Sequence, residues 1–101
     1  MALPTSTNYG QSVTKYAVGS TAVDLASIAD GNEEAVEVTV TGAQLGDFVL
    51  ASHSLDVTDL MVTGSVTAAN TVTVIVANNT GGALDIGSGT VYAMVIPREV
   101  V

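Results

Sequence analysis

The class of fold follows from one stretch of sequence, Val36-Glu37-Val38-Thr39-Val40-Thr41. Apolar and polar residues alternate along it with a period of two, which places the three valines on one face and the polar residues on the other. This alternation predicts a half-buried β-strand whose polar face is in water. The stretch from Thr71 to Ala77 repeats the pattern and points Val72, Val74 and Val76 inward.

The rest of the chain consists of short β runs separated by turn residues. The predicted runs cover residues 13–18, 21–28, 47–55, 60–67 and 90–96, and Pro97 ends the last one because proline cannot donate to the ladder. Turns are predicted at 19–20, 30–32, 68–70, 78–82 and 87–89. Seven or eight short strands at this spacing are typical of an antiparallel sandwich, a jelly roll or a small barrel. We predict an all-β fold, an antiparallel β-sandwich that is jelly-roll-like.

The composition agrees with this prediction and indicates how the core is filled. Val, Thr and Ile make up 34 of the 101 residues, Phe is single and Trp is absent, so aliphatic side chains supply the bulk. The period-two positions predict a core of Val23, Leu25, Val36, Val38, Val40, Leu50, Val62, Val66, Val72, Val74, Val76, Val91 and Val95.

The chain divides into an extended N-terminal arm, residues 1–12, and a single β-sandwich domain, residues 13–101. Nine of the first twelve residues are Pro, Gly, Ser, Thr, Asn, Gln or Tyr, and such a segment cannot bury enough surface to order itself. It is either a frayed terminus or an arm that orders on a partner, with Leu3 and Tyr9 as anchors. The chain starts with Met and no signal peptide is visible, so we expect a complete gene product made in the cytoplasm.

Charge and residue usage exclude several functional classes. Ten acidic residues against one Lys and one Arg give a net charge of -8, which excludes nucleic-acid binding through a basic face. The chain has no Cys, which excludes disulfides, zinc–thiolate sites and thiol chemistry. No run approaches the ~18 apolar residues of a membrane helix. We expect neither nucleic acid nor membrane as a partner.

Residues that could perform chemistry are few. His53 is flanked by Ser52 and Ser54, but neighbouring strand residues point to opposite faces, so neither serine forms a local triad with it. The alternatives are a packed or interface-facing histidine and a site completed by a distant Ser and Asp. The acidic residues 30–37 and 56–59 suggest either a solvated rim or a bound cation, although the EF-hand pattern is absent. We predict no catalytic residue, no metal and no cofactor, and therefore not an enzyme.

The distribution of charge bears on assembly. Between Tyr16 and Pro97 there are nine acids and no Lys or Arg, so copies repel each other except where apolar contact outweighs the repulsion. The runs 47–55 and 90–96 are nevertheless apolar on both faces, which is more than one core uses. We predict a homotrimer whose interface contains His53, Leu55, Tyr92, Met94 and Ile96.

The pattern of strands and turns in the second half resembles a known group of proteins. The residues that carry the resemblance are Gly46-Asp47-Phe48-Val49-Leu50, the run from Val66 to Val74, the run from Asn79 to Asp85, and Ser88-Gly89-Thr90-Val91. They are similar to small β-rich virion proteins of tailed bacteriophages, over roughly residues 22 to 96. Within that group, a chain of about 100 residues with an arm and a β-domain is similar to the capsid decoration (cement) proteins.

The resemblance implies a role without chemistry. Decoration proteins commonly sit as trimers on the outer surface of the capsid, where they clamp neighbouring capsomers. It implies the major capsid protein as partner, assembly in the host cytoplasm, and a capsid-binding arm that includes Leu3, Pro4, Tyr9 and Lys15. The alternative is a head-fibre or tail-fibre module that binds a host surface glycan or receptor. A fibre normally has a longer chain, repeats or a coiled-coil stem, and this sequence has none of them.

Overall fold

The computed structural model describes residues 16–100 of the chain. The predicted arm at residues 1–12 and the first residues of the predicted domain lie outside the described residues. The described part forms six strands and a short 3₁₀ helix: β1 (Ala17–Asp24), β2 (Glu33–Thr39), β3 (Phe48–His53), β4 (Met61–Ala68), β5 (Thr71–Ala77), β6 (Ser88–Ile96) and the helix Arg98–Val100.

The strands form two three-stranded antiparallel sheets that pack against each other. One sheet has the order β1-β6-β3 and the other has the order β2-β5-β4. The predicted all-β, sandwich-like fold is therefore confirmed, while the finer description as jelly-roll-like stays a prediction. The predicted connection at 68–70 is a tight hairpin turn between β4 and β5, in which Asn70 adopts a φ of 63°.

Valines from both sheets fill the space between them. The central strands contribute most, because the inner residues of β5 and β6 are almost completely buried. Ten of the predicted core residues are buried, namely Leu25, Val36, Val38, Val40, Val66, Val72, Val74, Val76, Val91 and Val95, while Val23 and Val62 are partly buried against them. Ile28, Ala43, Leu60 and Ala93 belong to the same core and were missed by the period-two pattern.

The prediction that Leu50 lies in the core is wrong. Its side chain is 63% exposed, and its neighbours Val49 and Ala51 pack against the core instead. The reason lies in the facing sheet, where Gly64 of β4 has no side chain. A methyl group at Gly64 would lie 2.9 Å from Cγ1 of Val49 and 3.2 Å from Cβ of Ala51. The gap between β3 and β4 therefore accepts only small residues, and the larger leucine points outward.

The predicted turn at Gly19-Ser20 is also wrong, because both residues lie within β1 and pair with β6. Gly19 is needed there for a close approach rather than for a turn. A methyl group at Gly19 would overlap the carbonyl oxygen of Thr39 and would lie 2.9 Å from Cγ2 of Val40. Gly19 lets β1 approach β2 closely, and Gly64 does the same for β3 and β4, so two glycines bring the edges of the sheets together.

We expect Gly19→Ala to destabilise the fold by about 1–3 kcal/mol, because the added methyl group displaces β1 from β2. Gly82→Ala is the matched control, since nothing lies within 4 Å of its added methyl group and its φ is not in the left-handed region. Urea unfolding followed by circular dichroism measures both variants. Equal stability of the two variants would contradict the assigned approach of β1 to β2.

We expect Val74→Asp to cost several kcal/mol, because it places an unpaired carboxylate in a position with no solvent exposure. Thr63→Asp is the control, since that residue is exposed on the neighbouring strand and its replacement is expected to change stability by less than about 0.5 kcal/mol. Thermal unfolding compares them, and a Val74→Asp melting temperature near that of the unchanged chain would refute the assigned inner face of β5.

Candidate functional site

The most unusual surface of the molecule is the outside of the sheet β1-β6-β3. Six apolar side chains meet there, and we call them the outer apolar face: Val18, Phe48, Leu50, Tyr92, Met94 and Ile96. The strand register brings them together, because Met94 on the central strand pairs with Val18 on one side and with Leu50 on the other. Phe48 pairs with Ile96 at the adjoining end of the sheet.

These side chains are accessible to solvent. Val18 and Leu50 are each 63% exposed, Phe48 is 50% exposed and Tyr92 is 46% exposed. A shallow groove of about 290 Å³ crosses the face and is lined by Val18, Leu50, Tyr92 and Met94, among others. A contiguous apolar surface of this kind usually marks a site of contact with another molecule.

The outer face of the other sheet differs in chemistry. Two apolar side chains, Met61 and Ile75, lie on it among Glu33 and Glu37 from β2 and a series of hydroxyl side chains from β4 and β5, namely Thr63, Ser65, Thr67, Thr71 and Thr73. The hydroxyls of Thr67 and Thr73 lie 2.7 Å apart and form a hydrogen bond across the two strands. One side of the sandwich is therefore suited to water, and the other is not.

The structure divides the predicted interface residues into two groups. Tyr92, Met94 and Ile96 lie together on the outer apolar face. His53 and Leu55 do not lie there: both contact the position of Gly89 on the inner side of β6, where a methyl group would be 2.6 Å from Cε1 of His53. The interface itself stays a prediction, and the residues of β3 that lie beside Met94 and Ile96 on the outer apolar face are Leu50 and Phe48.

The sequence contains a signal for the outward position of Leu50. The run 47–55 is apolar on both faces, so alternation alone does not say which face is inside. Side-chain size does distinguish them, because Phe48 and Leu50 are larger than Val49 and Ala51. Matching the smaller pair to the glycine of a facing strand would have placed the larger pair outside.

His53 has surroundings that fit packing rather than catalysis. Its Nδ1 accepts a hydrogen bond from the backbone N–H of Leu55 at 3.1 Å, which leaves the ring proton on Nε2. That Nε2 is buried and has no hydrogen-bond partner. The nearby Ser54 hydroxyl accepts from the backbone N–H of Thr90 at 2.9 Å, and Ser52 points to the other face. The geometry brings no serine or carboxylate to the imidazole.

The acidic residues are concentrated at one end of the sandwich, which we call the loop end, formed by residues 24–34, 54–60 and 78–87. Their aspartates hold turns: Asp30 accepts from Gly81 N–H, Asp56 from Thr58 N–H and Asp85 from Gly87 N–H, at 2.8–3.0 Å. Such bonds fix loop conformation without any ion. No group of three potential metal ligands occurs among residues 16–100.

Asn78 organises the loop end from within. It is completely buried, and its side-chain nitrogen donates to the carbonyl oxygens of Ile28 and Gly82 at 2.7 and 2.8 Å. Its side-chain oxygen accepts from the backbone N–H and the hydroxyl of Thr80 at 2.9 and 2.8 Å. The two loops are joined further by a bridge between Ile28 and Leu84. Every hydrogen-bonding atom of the buried amide group is used, and sequence reasoning missed this role.

We expect Asn78→Ala to destabilise the fold by about 2–4 kcal/mol, because it removes four hydrogen bonds from a fully buried position and leaves the backbone N–H of Thr80 without its partner. The neighbouring Asn79 is exposed, and Asn79→Ala is expected to change stability by less than about 0.5 kcal/mol. Denaturant unfolding of the pair measures the difference. If the two alanine variants unfold together, the buried amide does not hold the loops.

No family model matches the chain, and neither a curated protein nor a solved structure matches it. In the part of the chain that the structure describes, no helix is long and apolar enough to cross a membrane.

Proposed function

We propose that this chain is a non-enzymatic structural protein of a virion, a capsid decoration protein that stabilises the head of a tailed bacteriophage. In this role the β-sandwich is a rigid body that associates into a trimer on the outer surface of the shell. The N-terminal arm binds the major capsid protein and bridges neighbouring capsomers.

The observation that carries the proposal is the outer apolar face. The sandwich has a complete core of its own, so Leu50, Phe48 and Tyr92 contribute little to folding where they stand. Exposed apolar surface lowers solubility, and a protein that keeps it uses it for contact with another molecule. A protein that functions by contact is a structural or binding protein.

The surroundings of the polar residues support the same class. His53 is engaged by backbone, and the aspartates at 30, 56 and 85 cap turns. The groove on the outer apolar face is lined mostly by apolar side chains, and its polar side-chain groups are the hydroxyls of Ser52 and Tyr92. Its lining contains no carboxylate, imidazole or amine to act together with these hydroxyls, which favours a binding role over a catalytic one.

The position of the arm is compatible with the proposed role. The arm joins the sandwich at the start of β1, at the end opposite the acidic loop end. Arg98 lies at that same end, where its guanidinium donates to the carbonyl oxygen of Leu45 and its backbone N–H donates to Asp47. Lys15 directly precedes the described residues in sequence and Arg98 lies at the end of the sandwich where β1 begins, while most carboxylates lie at the loop end. This asymmetry favours the arm end as the end that faces a partner surface.

Co-sedimentation tests the proposal. Full-length protein and a variant that lacks residues 2–12 are mixed with capsids of the phage that encodes the chain, after the native protein has been stripped from them. We expect the full-length protein to pellet with the capsids and the shortened variant to stay in the supernatant, because the arm supplies the contacts with the capsid. Thermal unfolding of both proteins controls for a folding defect.

Each outcome bears on the proposal. Binding by the shortened variant at the level of the full-length protein would overturn the arm mechanism. Absence of binding by both would overturn the decoration role and favour the fibre module, which a glycan or receptor screen then examines. A gene located beside tail genes, and not beside the gene for a major capsid protein, would also count against decoration.

A further inference from the structure

We propose that the outer apolar face is a self-association surface, occupied by the same face of another copy of this chain. The inference rests on the structural role proposed above for this face, but it does not depend on a capsid. It assigns the contact to Val18, Phe48, Leu50, Tyr92 and Met94, and it leaves His53 outside.

The distribution of charge permits this occupant. A chain with a net charge of -8 repels its own copies, so self-association requires a surface from which the carboxylates are distant. The outward positions of β1, β3 and β6 are uncharged apart from Asp24, which lies at the loop end of β1. The Glu37 side chain is on the other sheet, and the remaining acids are in or beside the connections at the two ends. This face is therefore where two copies meet at the lowest electrostatic cost.

The area is sufficient for a specific contact. Large side chains present about 150–250 Å² when fully accessible, so half-exposed ones retain on the order of 100 Å² each. The face then offers on the order of 500 Å² per copy, and two facing copies bury about 1,000 Å² together, which reaches the lower limit for specific interfaces.

The shape of the face is also suited to a copy of itself. The groove of about 290 Å³ is lined in part by Tyr92, and the exposed ring of Phe48 lies on the same face, so one copy carries both a depression and an exposed aromatic group. Aromatic side chains seated in apolar depressions are the usual centres of binding energy in protein interfaces. A partner selected for charge would instead bind the acidic loop end.

The test measures the mass of the purified full chain by light scattering at micromolar concentration, with no capsid present. We expect a mass above that of one chain for the unchanged protein: three chains supports the proposed trimer as well, whereas two chains supports this inference and overturns the trimer. Added salt is expected to favour association because it screens the remaining repulsion. Leu50→Glu places a carboxylate in the centre of the contact and is expected to reduce the mass to that of one chain. Thr63→Glu, exposed on the outer face of the other sheet, is the matched control and is expected to keep the mass of the unchanged protein.

A second measurement stays informative even if the Leu50→Glu variant does not fold. The chain has no Cys, so Ser52→Cys on the outer apolar face and Ser65→Cys on the opposite sheet each introduce one exposed thiol. We expect a maleimide to label the thiol at 65 readily and the thiol at 52 slowly, with the rate at 52 rising on dilution.

A monomeric unchanged protein at all salt concentrations would overturn the inference, as would equal labelling of the two thiols or an unchanged mass for Leu50→Glu. Such a result leaves capsid binding by the arm as a separate question, which co-sedimentation answers.

Discussion

The close approach of the two sheets at their edges determines much of the remaining structure. Gly19 lets β1 lie against the backbone of β2, and Gly64 gives Val49 and Ala51 room to fit beneath β4. Because the gap beside these two glycines accepts only small groups, the inner positions of β1 and β3 near them carry Ala17, Val49 and Ala51. The bulk of the core is supplied by the central strands instead. Phe48 and Leu50 of β3 lie on the outer surface, whereas His53 at the end of the strand lies inside, where Gly89 leaves room for its ring.

As a result, the outer surfaces of the two sheets differ in polarity. The outer face of the sheet β2-β5-β4 is mostly threonines, serine and glutamates, with Met61 and Ile75 among them, as expected for a sheet with one side in water. The sheet β1-β6-β3 is apolar on both sides, which is typical of sheets that are covered on both sides. Within the single chain nothing in residues 16–100 covers this second side. The two proposals made above describe what does so: other copies of the chain within a structural assembly.

The strong negative charge has a local explanation as well as a general one. Four of the six aspartates accept hydrogen bonds from backbone N–H groups in turns or at the helix start, so they are part of how the loops hold their shape. Asp30, Asp56 and Asp85 lie at the loop end, where the hydrogen bonds of Asn78 and the buried Leu25, Ile28 and Leu60 also hold the loops together. The remaining effect of the charge is repulsion between copies, which confines any self-association to the uncharged face.

The sequence by itself determined the fold class, the central strands and most of the core. The phase of Val36–Val40 and of Val72–Val76 follows from local alternation, because threonines and glutamates occupy the other face. The turns at 30–32 and 68–70 also follow from local chemistry, since Gly31 and Asn70 adopt the positive φ that their residue types tolerate. The residues of 90–96 also showed by themselves that both faces of this strand are apolar.

Only the tertiary structure decided the features that depend on a facing element. The choice between Leu50 and Val49 as the inner residue was made by Gly64, which is 14 or 15 positions away along the chain. Gly19 is a strand residue because β2 lies against it, although Gly-Ser is a common turn sequence. Asn78 joins the loops because folding brings the carbonyl oxygen of Ile28 within 2.7 Å of its side-chain nitrogen. In each case local sequence allows both outcomes, and the space or the partner provided by a distant strand or loop selects one of them.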